Sequence, residues 1–180
     1  MLNKSLSIIG AVSISLALSA CGSSDSFAKM EDRGTALAAK YAETPPTETM
    51  PTEGTATYKG YAGYSADENA ETADYASNVT LNANFADATI DGSLTNFRDA
   101  NNGKLAGSVA VTDGAIDENG FIADLSGTLS QGGESGEVTG AMGGTFYGEG
   151  AEAVFGGMTG EITTADGSVP LYGIFIAEKK

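Results

Sequence analysis

The chain has 180 residues, 41% of them hydrophobic, with no histidine, no tryptophan and a single cysteine. Its 24 acidic against 9 basic residues give a formal net charge of −15. A surface of that sign repels phosphate backbones and anionic headgroups, so nucleic acid is excluded as a partner. Ser-His-Asp and Cys-His catalysis lack their base, zinc lacks a plausible ligand set, and an internal disulfide is impossible.

Residues 1–20 read as a lipoprotein signal peptide rather than part of the fold. Lys4 supplies a positive start, and Leu6 to Ala20 is an apolar and small-residue run too short to span a bilayer. The run ends in Leu18-Ser19-Ala20-Cys21, which resembles a bacterial lipobox. That resemblance implies acylation of Cys21, the chain's lipid-attachment site, and stable membrane anchoring by several acyl chains. Gly22 stands where an aspartate would signal inner-membrane retention, so the expected address is the outer membrane.

Residues 21–53 read as a flexible tether. Serines open it, and Thr44 to Thr52 closes it with three of the chain's four prolines, a composition that favours extended, unpaired backbone. Fully extended, such a stretch reaches about 100 Å. Between its ends Phe27, Met30, Leu37 and Tyr41 fall at helical spacing, interrupted by Gly34. A short helix is expected there, with docked and loose arrangements both open.

From Gly54 onward the period is two. Tyr58, Gly60, Ala62 and Tyr64 share one face of a first strand, and a polar loop runs from Ala66 to Asp74. Val79 to Phe85, Ile90 to Phe97, Leu105 to Val111 and Phe121 to Leu129 alternate in turn. The turn Asp117-Glu118-Asn119-Gly120 carries the Asn-Gly pair that supplies positive φ angles to tight hairpins. Nine of the 25 residues from Gly136 to Gly160 are glycine, yet Val138, Met142, Phe146, Val154, Phe155 and Met158 lie among them. A linker has no use for such residues, whereas a tightly curved strand needs glycine between bulky neighbours. Val138 to Phe146 and Val154 to Ile162 are therefore strands six and seven, and Leu171 to Ala177 is the eighth. The expected fold is all-β: an eight-stranded antiparallel up-and-down β-barrel over residues 54–180. Phe85, Phe121, Phe146, Phe155, Leu125 and Met142 have the bulk to fill its interior. A closed sheet has no edges, so the barrel is expected to be monomeric.

Gly143-Gly144-Thr145-Phe146-Tyr147-Gly148, Ala151-Glu152, Gly156-Gly157 and the closing Gly173 to Lys179 resemble the last strands of the transferrin-binding protein B β-barrel family. Phe85 to Leu94 resembles its second hairpin. The broader group includes factor H-binding and haemoglobin-receptor accessory lipoproteins. The resemblance implies a cell-surface lipoprotein that binds a partner protein, often in iron or haem acquisition. It covers a single barrel without the second lobe and handle domains of the two-lobed receptor, so no partner-contacting residue carries over.

Other chemistry is weaker. Asp117 to Gly120 contains a fragment of a calcium loop, but Ala115 and Ser126 stand where ligands are needed. Tyr58, Tyr61 and Tyr64 could suggest phenolate ligands or haem stacking, but tyrosine is an ordinary strand former. No enzymatic activity and no cofactor are expected. Three functions remain open: a binding module for a protein or solute, a structural envelope lipoprotein, and a lipocalin-like carrier of a small apolar ligand.

Overall fold

A computed structural model describes residues 25–66 and 73–180. The expected signal peptide, residues 1–20, and Cys21 lie outside the described residues. One helix, α1 (Phe27–Tyr41), precedes eight strands: β1 (Thr55–Ser65), β2 (Tyr75–Asn84), β3 (Thr89–Asp99), β4 (Ala106–Asp117), β5 (Gly120–Gln131), β6 (Glu134–Tyr147), β7 (Ala153–Thr164) and β8 (Gly167–Lys179). Each strand pairs with the next, and β8 pairs antiparallel with β1, so the sheet closes in sequence order as a barrel.

Alternation along each strand separates two surfaces. Tyr58, Leu81, Ile90, Val109, Phe121, Met142, Phe146, Val154 and Phe175 point inward and are buried. Thr57, Lys59, Asn82, Asp91, Asp124, Thr139 and Glu161 lie on the opposite parity. A polar wall around an apolar filling is the reverse of a transmembrane barrel, which faces lipid with apolar residues and encloses polar ones. Phe146 sits at the centre of the packing, with ring centroids 5.7 Å from Tyr58, 6.2 Å from Phe85 and 6.0 Å from Phe121. A void near Tyr64 and Phe97 measures about 20 Å³, too small for an apolar ligand. A carrier function inside the barrel has no room.

Phe155 is not part of this filling. It lies on the outer parity of β7, and Val154 takes the inward position beside Phe146. The strand β4 also runs further than its periodicity predicts, because a register shift between Thr112 and Ala115 resets the alternation past Val111. At the β4–β5 hairpin, Asp117 pairs with Gly120, so Glu118 and Asn119 form the two-residue loop. The positive φ falls on Glu118, at 50°, rather than on Asn119 and Gly120. This is the favoured hairpin geometry with φ > 0 only at the first loop position.

Inward glycines allow the walls to approach. At Gly60, on the β1–β8 seam, an added Cβ would collide with the Ile176 carbonyl and lie 2.5 Å from the Ala177 Cα. At Gly156 it would meet the Gly143 carbonyl and the Gly144 Cα. Glycine is required there by close backbone approach.

The described part of the expected tether, residues 25–53, packs against the barrel. Ser26 caps α1, accepting from the Lys29 N–H at 3.4 Å. The helix lies on β1, β2 and β8. Phe27 and Met30 bury against Ala76, and Tyr61 and Ala73 pack around them. The Phe27 N–H donates to Asn102 Oδ1 at 3.2 Å, and Lys40 Nζ pairs with Glu178 of β8 at 2.6 Å. After the helix, the Thr47 N–H donates to the Phe146 carbonyl at 2.9 Å and its hydroxyl to the Gly148 carbonyl at 2.8 Å. Met50 then packs on the core. The chain before β1 thus forms a strut along the wall and a seal over one barrel end.

Candidate functional site

With the interior filled, the open space lies on the outside of the barrel. A groove of about 830 Å³ runs between α1 and the outer wall formed by β1 and β5 to β8. Its floor follows from register. Ile122 pairs with Gly143, Gly143 with Gly157, Gly157 with Ile174, and Ile174 with Gly63. All five are outward positions, so Gly143 and Gly157 form a trough between two isoleucines, with Gly63 beyond Ile174. The adjacent row, Phe155–Ile176–Tyr61, borders it on one side. Along the helix, Met30, Gly34 and Ala38 recur at a spacing of four and so present one face, the roof. Inward Met142, Met158 and Phe175 also line the groove, although they are buried, because the glycines leave gaps in the wall above them.

Of the four large apolar side chains exposed among the described residues, three lie here and Val169 lies elsewhere. Ile122 is 71% exposed, Ile174 64% and Phe155 41%. Contiguous exposed apolar surface on an acidic protein marks an interaction site more often than it marks chance. Among the described residues, the only charged side chain lining the groove is Glu31. Arg33 lies nearby with its guanidinium donating to Asp25 at 2.7 Å and to the Tyr61 hydroxyl at 3.2 Å. The hydrogen bond it donates to Tyr61 is the main reason that its pKa is raised, so the charge is fixed.

The three tyrosines singled out from the sequence are not brought together. The Tyr58 hydroxyl donates to the Ala151 carbonyl at 2.7 Å inside one barrel end. The Tyr64 hydroxyl shares a 2.7 Å hydrogen bond with Ser77 inside the other. Tyr61 stands on the outer wall under α1. Burial pushes the Tyr58 and Tyr64 pKa values well above the ordinary 10, which disfavours the phenolate a metal would need. The Asp117 to Gly120 stretch is the β4–β5 hairpin. Among the described residues, no group of three or more acids, histidines or cysteines is placed to hold a metal ion.

The outward row from Ile122 to Ile174 went unnoticed in the sequence and Phe155 was assigned to the filling, but these residues left a signal. Phe121-Ile122-Ala123, Val154-Phe155 and Ile174-Phe175-Ile176 each place an apolar residue on the off-beat of a period-two strand. An inward partner explains only every second one.

A closed, filled barrel with polar walls and one apolar outer groove defines a class: a small barrel whose exterior, not its lumen, is available for contact. The sequence profile describing the C-lobe and N-lobe β-barrels of Tf-binding protein B matches residues 50–179, and the chain belongs to that family. Among solved structures, a double mutant of the vaccine antigen Transferrin Binding Protein B from Haemophilus parasuis Hp5 is 25% identical with a TM-score of 0.48. That match covers 74% of this chain and 28% of the other. A single mutant of the same antigen is 25% identical with a TM-score of 0.46, covering 75% and 28%. The chain therefore spans under a third of the length of these relatives. A search of curated proteins gives no match.

Proposed function

We propose that this chain is a lipid-anchored binding module on the outer membrane, displayed at the cell surface, that engages a partner protein without catalysing a reaction. Cys21 would carry the diacylglyceryl and acyl groups of a lipoprotein. The observation that carries the binding reading is the outer-wall groove, apolar and exposed on a barrel whose interior is packed with apolar side chains. A purely structural envelope lipoprotein gains nothing from leaving Ile122 and Ile174 in water, because exposed apolar surface invites aggregation. The family name supports a host iron-carrier protein as the class of partner.

Two measurements test this reading. Protease added to intact cells should degrade the barrel, and sparing it until the cells are lysed would rule out surface display. Immobilised lipid-free chain, Gly22 onward, should retain a saturable protein partner from growth medium or intact cells. Retention of none would remove the dedicated ligand.

A further inference from the structure

The barrel's glycines divide into two kinds. Those facing inward are demanded by the fold, as Gly60 and Gly156 are. Gly157 is different: it is exposed, and the nearest atom to an added Cβ is the Gly173 carbonyl at 3.6 Å, an ordinary contact. It is not among the residues with positive φ. Nothing in the barrel requires glycine at this point, and a strand interior is weakened by it. What its missing side chain does is leave the trough open between Ile122 and Ile174.

Charge narrows what enters. The acid lining the groove, Glu31, and Asp124, on the outer row next to the trough, form no ion pair among the described residues. The bases on the helix are committed: Lys29 and Arg33 to Asp25, and Lys40 to Glu178, which also holds Lys180. Lys59 sits across from that same Glu178. The groove's own lining therefore carries one acid and no base among the described residues, on a chain of net charge −15.

From these two observations we infer that the trough over Gly157 receives a polypeptide segment of the partner whose clustered apolar side chains are flanked by lysine or arginine. The apolar side chains fill the space between Ile122 and Ile174, and the flanking cations meet Glu31 and, one outer row on, Asp124. Complementary charge here sets the encounter and the orientation, and apolar burial supplies the affinity. The inference rests on the binding-module reading and deepens it.

The test uses lipid-free chain and two fluorescein-labelled peptides, Lys-Lys-Phe-Leu-Phe-Lys-Lys and its glutamate-flanked counterpart, followed by anisotropy at physiological salt. The basic peptide should bind at least tenfold more tightly than the acidic one. Gly157→Val should weaken it at least tenfold while leaving the melting temperature unchanged or higher, since the valine enters open space on a strand. Ile174→Ser provides a second route to the same loss, and Asp91→Asn, on a distant part of the wall, should change nothing. Equal binding of both peptides, binding of neither, or full binding by Gly157→Val overturns the inference. So does a groove that serves another occupant. That result would be phosphatidylcholine vesicles bound through Ile174 in place of the peptide, or a concentration-dependent dimer abolished by Ile174→Ser. If a native partner is retained equally by Gly157→Val and the parent chain, the trough is wrong while the binding module stands.

Discussion

At the scale of single residues, Glu118 holds a backbone angle that suits glycine. Its φ of 50° lies in the left-handed region, where a Cβ crowds the following carbonyl at a cost of about 1–2 kcal/mol. Glu118→Gly removes that crowding but adds freedom to the unfolded chain, which offsets about 0.4–1 kcal/mol. The net expectation is a gain of about 0.5–1 kcal/mol, read from chemical denaturation. A loss would mean that the glutamate side chain contributes something the geometry hides. Tyr58 and Tyr64 make a second residue-scale case. Burial raises both pKa values above the ordinary 10, so the folded state holds its phenolic protons after the unfolded state has released them. The stability they confer is intact below pH 10 and declines as pH rises beyond it. Denaturation midpoints measured from neutral to strongly alkaline pH should fall above pH 10, and a Tyr58→Phe/Tyr64→Phe chain should show a shallower fall. An equally steep fall would place the alkaline sensitivity elsewhere.

At the scale of elements, α1 shows how little local sequence says about docking. Its 15 residues are at the length where an isolated helix is marginal, and Gly34 weakens it by about 1 kcal/mol relative to alanine. Its stability comes from burying Phe27 and Met30 against Ala76, a cluster separate from the barrel core. Met30→Asp would place a charge in that small cluster and release the helix. Trypsin should then cut readily after Lys29 or Arg33, while the barrel keeps its β circular-dichroism spectrum and most of its melting temperature. Simultaneous collapse of both would show the helix and barrel to be one cooperative unit. The phasing of Phe27 and Met30 made a helix legible, but the surface that receives it did not. Ala73 and Ala76 are small residues near a loop, and only folding places them beneath the helix. The strands were far more legible, because alternation survives in each of them. Where a bulge resets it after Val111, the expected strand stops early.

At the scale of the whole molecule, barrel closure depends on backbone proximity at the β1–β8 seam. Gly60→Ala forces a methyl into the Ile176 carbonyl and the Ala177 Cα. Overpacking of this kind costs about 1–3 kcal/mol or more, since neither strand can move without opening the ring. Thermal unfolding should show Gly60→Ala far below the parent chain and Gly157→Ala level with it or above. Equal stabilities would dissolve the distinction between the two kinds of glycine. Docking of α1 also changes how the molecule would sit on a membrane. Only four peptide steps separate Cys21 from Asp25, about 14 Å at full extension, in place of the roughly 100 Å of a free tether. A lipid on Cys21 would hold the barrel close to the bilayer surface.

Alternation, turn residues and glycine density, all local properties of the chain, were enough to determine eight antiparallel strands, a filled interior and, Phe155 and the end of β4 apart, their inward faces. Period two is written residue by residue, and bulk on one face has nowhere else to go. The location of the groove was decided by tertiary structure alone. Ile122, Gly143, Gly157, Ile174 and Gly63 come from five different strands, and only the register of a closed barrel puts them in one row. The roof over that row comes from a helix whose position depends on contacts with strands later in the chain. Neighbouring strands can slide by two residues without changing which side chains face inward. The inward pattern therefore survives in the sequence, while the outer alignment exists only once the ring has closed.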